Sequence, residues 1–173
     1  MDRLNKIKSI RDKLSKGDYS IGSWLQIPNA SIAEIMGQAG YDWVAVDMEH
    51  GTISPHQLPD LFRALELGNT LPLVRVAQGE SKDCKQALDA GAGGLIIPMV
   101  RSAKELQRVI HEATWPPTGR RGVSFSRANL FGKNFNKLSL LNKEIVISGT
   151  AVLDKNLADF AADNSLSGFE FLA

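Results

Sequence analysis

The sequence predicts an α/β domain built around a parallel sheet. Short apolar runs alternate with segments of helical periodicity from Gly17 onward, the pattern expected of successive βα units. The runs are nearly continuous, WVAVD and LIIPMV among them, as strands covered on both faces are. The helical segments between them start at polar caps and stop at glycines.

In chain order, Ile21–Gln26 is read as the first strand. A helix from Ile32 to Ala39 follows, opened by Asn29 or Ser31 as its cap and ended by Gly40. Trp43–Asp47 is the second strand, and Leu58 to Leu67 a helix stopped by Gly68-Asn69. Leu71–Val76 is the third strand, with Pro72 near its start, where a missing N–H is tolerated. Ser81–Ala90 is helical and stops at Gly91; Leu95–Val100 is the fourth strand; Ser102 caps a helix reaching about Ala113. The paired prolines and glycines of Thr114–Gly122, TWPPTGRRG, exclude helix and central strand. Ser124–Lys137 is read as a long loop with a short helix after it, near Leu138–Asn142. Ile145–Ile147 is a fifth strand, Asn156–Asp163 a helix and Gly168–Leu172 a sixth apolar segment. No linker or repeat interrupts the pattern, so residues 1–173 are expected to form a single domain.

Composition removes several function classes. The 173 residues carry 20 Lys+Arg against 19 Asp+Glu, a formal charge of +1, too even for a general electrostatic grip on nucleic acid or anionic membrane. A hydrophobic share of 43% with 23% charged residues excludes wholesale disorder. The single cysteine, Cys84, can form neither an intrachain disulfide nor a thiolate metal cluster, and a cytoplasmic location is expected. Met1–Lys16 has no apolar h-region and is not a secretory signal. It is read as an amphipathic helix, with Leu4, Ile7, Ile10 and Leu14 on one face and Arg3, Lys6, Lys8, Arg11 and Lys13 around the other. Without aromatics on its apolar face, it is expected to pack on the domain body rather than on a membrane, leaving Lys6, Lys8 and Lys13 in solvent.

Ligands of parallel β/α folds sit beyond the carboxyl ends of the strands. The residues standing there are Gln26 after the first strand, Asp47, Glu49 and His50 after the second, and Arg75 on the third. A histidine exchanges protons near neutral pH, and an adjacent carboxylate can orient it or bind a metal-bound water. Gly51 lets the backbone turn sharply behind the pair. A capped strand end with a solvated acid pair is the alternative. A guanidinium embedded in LPLVRV requires an anionic partner; a substrate carboxylate and an internal Asp or Glu both qualify, and on Arg75 alone the internal pair is the better reading. Gly91-Ala92-Gly93-Gly94 precedes a strand, whereas phosphate loops follow one, so it is read as a tight αβ connection. His56 and His111 are read as surface residues of helical stretches, and Cys84 as a buried, inert thiol.

Four segments together carry a resemblance: GSWLQIPNASIAEIMGQAGYDWVAVDMEHG (Gly22–Gly51), LPLVRV (Leu71–Val76), LDAGAGGLIIPMV (Leu88–Val100) and WPPTGRRGVSFSRANLFG (Trp115–Gly132). In this order and spacing the chain resembles the HpcH/HpaI aldolase (citrate-lyase-like) family of metal-dependent pyruvate aldolases. The resemblance implies a (β/α)₈ TIM barrel, a homo-oligomer, a small 2-oxo acid substrate and a divalent metal, Mg²⁺ or Mn²⁺. It implies reversible aldol cleavage of a 4-hydroxy-2-oxo (2-keto-3-deoxy) acid to pyruvate and an aldehyde. By the same resemblance His50 is the catalytic acid/base, Arg75 holds the pyruvyl oxygen, Asp47 supports the histidine, and Glu49 contacts the metal through a bound water. Asp89 matches an aspartate assigned to a dyad with that histidine. It ends a helix, at the opposite end of the barrel, and so would serve a neighbouring subunit's site. Trp24 and Gln26 match the first-strand segment facing the substrate.

The chain also departs from the family. The direct metal ligands belong to a Gln-x-Glu motif on the fifth strand and a Gly-Pro-x-Asp-Leu motif after the sixth. The fifth strand here reads Glu144-Ile145-Val146-Ile147-Ser148-Gly149-Thr150, and the sequence stops where the second motif belongs. Neither Glu144 nor Glu170 lies in a matching motif. A complete barrel takes roughly 250 residues, so about six βα units of the eight are expected, without the last strands. The alternative implied is an inactive homologue that binds a 2-oxo acid or a partner subunit.

Overall fold

Period-two burial along the strands decides which residues meet a ligand and which meet helices. The computed structural model describes residues 1–142 and 145–151. In chain order these form α1 (Arg3–Ser15), β1 (Gly22–Leu25), α2 (Ala30–Gln38), β2 (Trp43–Asp47), α3 (Leu58–Leu67), β3 (Leu71–Arg75), α4 (Ser81–Asp89), β4 (Gly94–Val100), α5 (Ala103–Ala113), α6 (Leu138–Leu141) and β5 (Val146–Ala151). The strands lie in the order β1-β2-β3-β4-β5 and each pairs with its neighbour in parallel. This is the sequential βα order of a barrel wall. The expected helix Asn156–Asp163 and the segment Gly168–Leu172 lie outside the described residues, as do Glu144 and Glu170.

One face of the sheet presents Leu25, Val44, Val46, Val74, Leu95 and Ile97 to α2–α5, where Ala33, Leu61, Phe62, Leu65, Ala87, Leu88 and Val109 complete the main core. The other face presents Ala45, Leu71, Leu73 and Ile96, and these pack on Ile7 and Ile10 of α1. The N-terminal helix therefore packs on the domain body, as expected, and does so over the inner face of the sheet. Asp2 caps it through a bond from the Asn5 N–H. Its lysines are not all in solvent, which corrects the expectation of a solvated face. Lys13 Nζ is 2.6 Å and Lys6 Nζ 3.5 Å from the buried carboxylate of Asp42. Burial opposes ionisation of Asp42, but these cations and the Ile21 N–H hold its pKa below the ordinary value.

The caps follow the sequence. Asn29 accepts from the N–H groups of Ser31 and Ile32, and Ser102 from that of Glu105. α2 and α3 touch where Gly37 meets Gly68, so closely that a Cβ on Gly68 would lie 2.0 Å from the Gly37 carbonyl oxygen. β5 runs further than the expected Ile145–Ile147, because the backbone of Ser148–Ala151 continues the ladder with β4 whatever its side chains. His56 lies in a short 3₁₀ turn, Pro55–Gln57, rather than in a helix proper, with its ring 2.9 Å from the Ser54 hydroxyl. The long loop after α5 carries two more 3₁₀ turns, Arg127–Asn129 and Phe135–Lys137.

Candidate active site

The β2–β3 register places Asp47 directly opposite Arg75 at the carboxyl ends of both strands. Trp24 lies opposite Ala45 on β1, so Gln26, two residues on, reaches the same inner face. Arg75 donates side-on to Asp47, Nε to Oδ1 at 2.9 Å and Nη2 to Oδ2 at 2.6 Å. Its guanidinium carbon stands 4.5 Å from the centre of the Trp24 ring. Gln26 Nε2 donates to Asp47 Oδ2 at 2.8 Å.

Asp47 is fully buried, and desolvation alone would favour its neutral form. The hydrogen bonds from Arg75 and Gln26, with the backbone N–H groups of Glu49 and His50 on Oδ1, reverse that and hold it far below the usual carboxylate range. The same bond raises the pKa of Arg75. Arg75 has the internal partner that its burial demanded. Two of its five N–H groups go to Asp47, and its side chain keeps 18% exposure.

Asp47 therefore organises the turn after β2 by binding the backbone of His50 rather than its ring. The ring projects into solvent, 66% exposed, with Nε2 3.7 Å from Glu49 Oε2, which is also 3.3 Å from Arg75 Nε. The turn is tight enough that a Cβ on Gly51 would lie 2.2 Å from the Asp47 carbonyl oxygen, so glycine is required there. Gln26, Trp24, Asp47, Glu49, His50 and Arg75 are thus gathered at one end of the sheet.

Asp89 is not among them. It ends α4, whose C-terminus lies at the opposite end of the sheet, and takes Arg121 Nη2 at 2.5 Å. That contact was not visible in the sequence, nor was the Arg127–Glu66 pair beside it. The only signal was the doubled arginine of GRRG in a segment without periodicity. Cys84 is buried in α4, and desolvation pushes its thiol up to about 12.

The described residues do not fit a divalent cation. Both oxygens of Asp47 are saturated with donors, Glu49 faces a guanidinium, and β5 carries no acidic residue. Among the described residues no three His, Cys, Asp or Glu side chains converge.

Parallel strands in sequential order define a fold of the β/α-barrel kind, and the polar residues gathered at their carboxyl ends are its candidate site. The family model described as HpcH/HpaI aldolase/citrate lyase matches residues 20–157, and the chain belongs to that family. It is 36% identical over 129 residues to a hydroxypyruvate/pyruvate aldolase of Roseobacter denitrificans, covering 73% of this chain and 50% of the relative. It is 35% identical over 142 residues to a 2-keto-3-deoxy-L-rhamnonate aldolase of Escherichia coli strain K12, covering 79% and 52%. An HpcH/HpaI aldolase/citrate lyase family protein from Burkholderia cenocepacia J2315 superposes with a TM-score of 0.74 at 31% identity, over 82% of this chain and 58% of that one. The chain spans about half the length of the curated relatives it matches. Among the described residues no helix is long and apolar enough to cross a membrane.

Proposed function

We propose that this site binds the pyruvyl part of a small 2-oxo acid and that the protein is a carbon–carbon lyase, cleaving a 4-hydroxy-2-oxo acid reversibly to pyruvate and an aldehyde. The observation that carries the reading is Arg75. A guanidinium fixed by Asp47 and Trp24 at the carboxyl end of β3, with N–H groups to spare, is preorganised for an anionic oxygen. The exposed imidazole of His50 stands on the adjacent turn.

In the cleavage direction His50 takes the C4 hydroxyl proton while the C3–C4 bond breaks. The electron pair passes into the C2 carbonyl, giving an enolate whose oxygen faces Arg75. Once the aldehyde has left, the proton that His50 took returns to C3 and completes pyruvate. Glu49 lies between His50 and Arg75 and sets the orientation of both. Gln26 and Asp47 act through Arg75, as positioning residues.

The relatives' names support the substrate class: one is an aldolase of pyruvate, the other of a 2-keto-3-deoxy acid. A homo-oligomer is part of the same reading. Val123, Phe125, Leu130 and Phe131 are exposed on one loop and are the kind of surface that a second copy covers. Light scattering on a size-exclusion column should return a multiple of the 18.9 kDa chain mass.

A specific observation favours a second reading, a homologue that binds the 2-oxo acid or a partner subunit without turnover. The described acids near the site are committed to Arg75, and β5 offers none. Exchange of pyruvate methyl protons in D₂O, followed by NMR with and without Mg²⁺ or Mn²⁺, decides between them. Exchange that falls at least tenfold in folded Arg75→Lys supports the lyase. Pyruvate binding without exchange supports the second reading, and neither binding nor exchange overturns the lyase and the 2-oxo acid site alike, leaving the partner subunit.

A further inference from the structure

A small cavity lies at the other end of the sheet, away from Arg75. Its walls include Arg3 of α1, Leu88 near the end of α4, Trp115 and Arg121 of the loop after α5, Leu141 of α6 and Ile145 ahead of β5. Its volume, about 10 Å³, admits the centre of one water-sized particle. Trp115 and Arg121 are more than nine-tenths buried. Trp115 Nε1 and Arg121 Nε are buried donors with no hydrogen-bond partner among the described residues. Leaving two such N–H groups unsatisfied is costly.

What satisfies them is decided by the walls. Among the described residues the lining side chains are alanine, leucine, isoleucine, tryptophan and arginine, and none of these side chains accepts a hydrogen bond. A water could accept from both donors, but its own hydrogens would find no acceptor among these side chains. An anion needs donors alone. The charges agree. At this end Arg121 pairs with Asp89, Arg120 with Glu112, and Arg127 and Arg3 both reach Glu66, and the charged side chains lining the small cavity itself, Arg3 and Arg121, are cations. Burial lowers the pKa of Arg121, and Arg3 repels it further. A wider cavity of about 490 Å³ shares Arg3, Ala128 and Leu141 with the small one and adds Arg127 and Lys137 beside one carboxylate, Asp2, so its approach carries more cations than acids.

We propose that this cavity binds a compact monovalent anion of the halide class, held between Trp115 Nε1 and Arg121 Nε. It is too small for a phosphate or a 2-oxo acid, so it is a separate site and stands whether or not the lyase reading does.

Crystals of the full chain grown in bromide test it directly. The expected result is an anomalous peak within hydrogen-bond reach of both nitrogens; an ordered water there, or no density, overturns the proposal. In solution, chloride in place of gluconate at equal ionic strength should raise Tm by about 2–4 °C, the shift of a modest stabilisation in a chain this size. Trp115→Phe keeps the ring against Arg121 and removes the donor. The chloride increment should fall at least by half in this variant, and an unchanged increment overturns the proposal.

Discussion

The two ends of the sheet use the same parts. At the carboxyl end Arg75 is paired with Asp47 and stacked on Trp24 at 4.5 Å; at the amino end Arg121 is paired with Asp89 and stacked on Trp115 at 4.3 Å. What differs is access and balance. The Arg75 side chain is 18% exposed and meets two carboxylates, Asp47 and Glu49, whereas that of Arg121 is 1% exposed and has one. A paired arginine with solvent at its edge and carboxylate in surplus can exchange a bound anion quickly. A sealed arginine with a single carboxylate holds structure and releases slowly whatever anion it takes. The chemistry of the residue type does not decide the role; the surroundings do.

The largest effect that sharpens this contrast is expected from Arg121→Ala. It strands Asp89 and opens a hole beneath Trp115, and breaking a buried pair on one side costs about 3–5 kcal/mol. Urea unfolding measures it. A loss below about 1 kcal/mol would break the comparison, because Arg121 would then behave as a surface residue.

Asp47→Asn should cost less, about 2 kcal/mol at pH 7, because Arg75 keeps Glu49 and the amide oxygen can still accept from the turn. The pH dependence has a fixed sign. The folded-state pKa of Asp47 lies below its unfolded value of 3.8, so its contribution is fully present above that pH and is lost as pH falls through the folded value. The wild type should therefore lose stability steeply below about pH 4, and the Asn variant less steeply. Equal acid slopes would mean that Asp47 is not the anchor of the turn. Asp42, depressed in the same direction by Lys13, contributes to the slope in both proteins.

How much of this was legible follows from distance along the chain. α3 was readable as Leu58–Leu67 because its periodicity and its Gly68 stop are local signals. The Asp47–Glu49–His50 group was readable because one strand end carries it, and Arg75 because a charge in an apolar strand demands a partner. That the partner is Asp47 depends on the β2–β3 register, which neither segment specifies alone. Arg121 and Asp89, 32 residues apart, meet through a loop that has no period to read. The turn of Lys6 and Lys13 toward Asp42 escaped for a related reason: an amphipathic pattern shows which face is apolar, not where a neighbouring carboxylate ends up.

The smallest effect on stability is expected at the residue with the largest effect on the proposed chemistry. The His50 ring is two-thirds exposed, and its polar contact among the described residues is Glu49, at 3.7 Å. His50→Gln removes that contact and keeps a polar side chain of similar reach, so unfolding should change by no more than about 0.5 kcal/mol. If His50 moves the proton, exchange of pyruvate methyl protons should fall by about 10²-fold or more, while pyruvate binding, which rests on Arg75, should stay within about twofold of wild type. Rates equal to wild type would assign the proton to another group and leave His50 a surface residue. A matching loss of binding would instead place His50 with Arg75 in holding the ligand, and would narrow the difference between the two ends to accessibility alone.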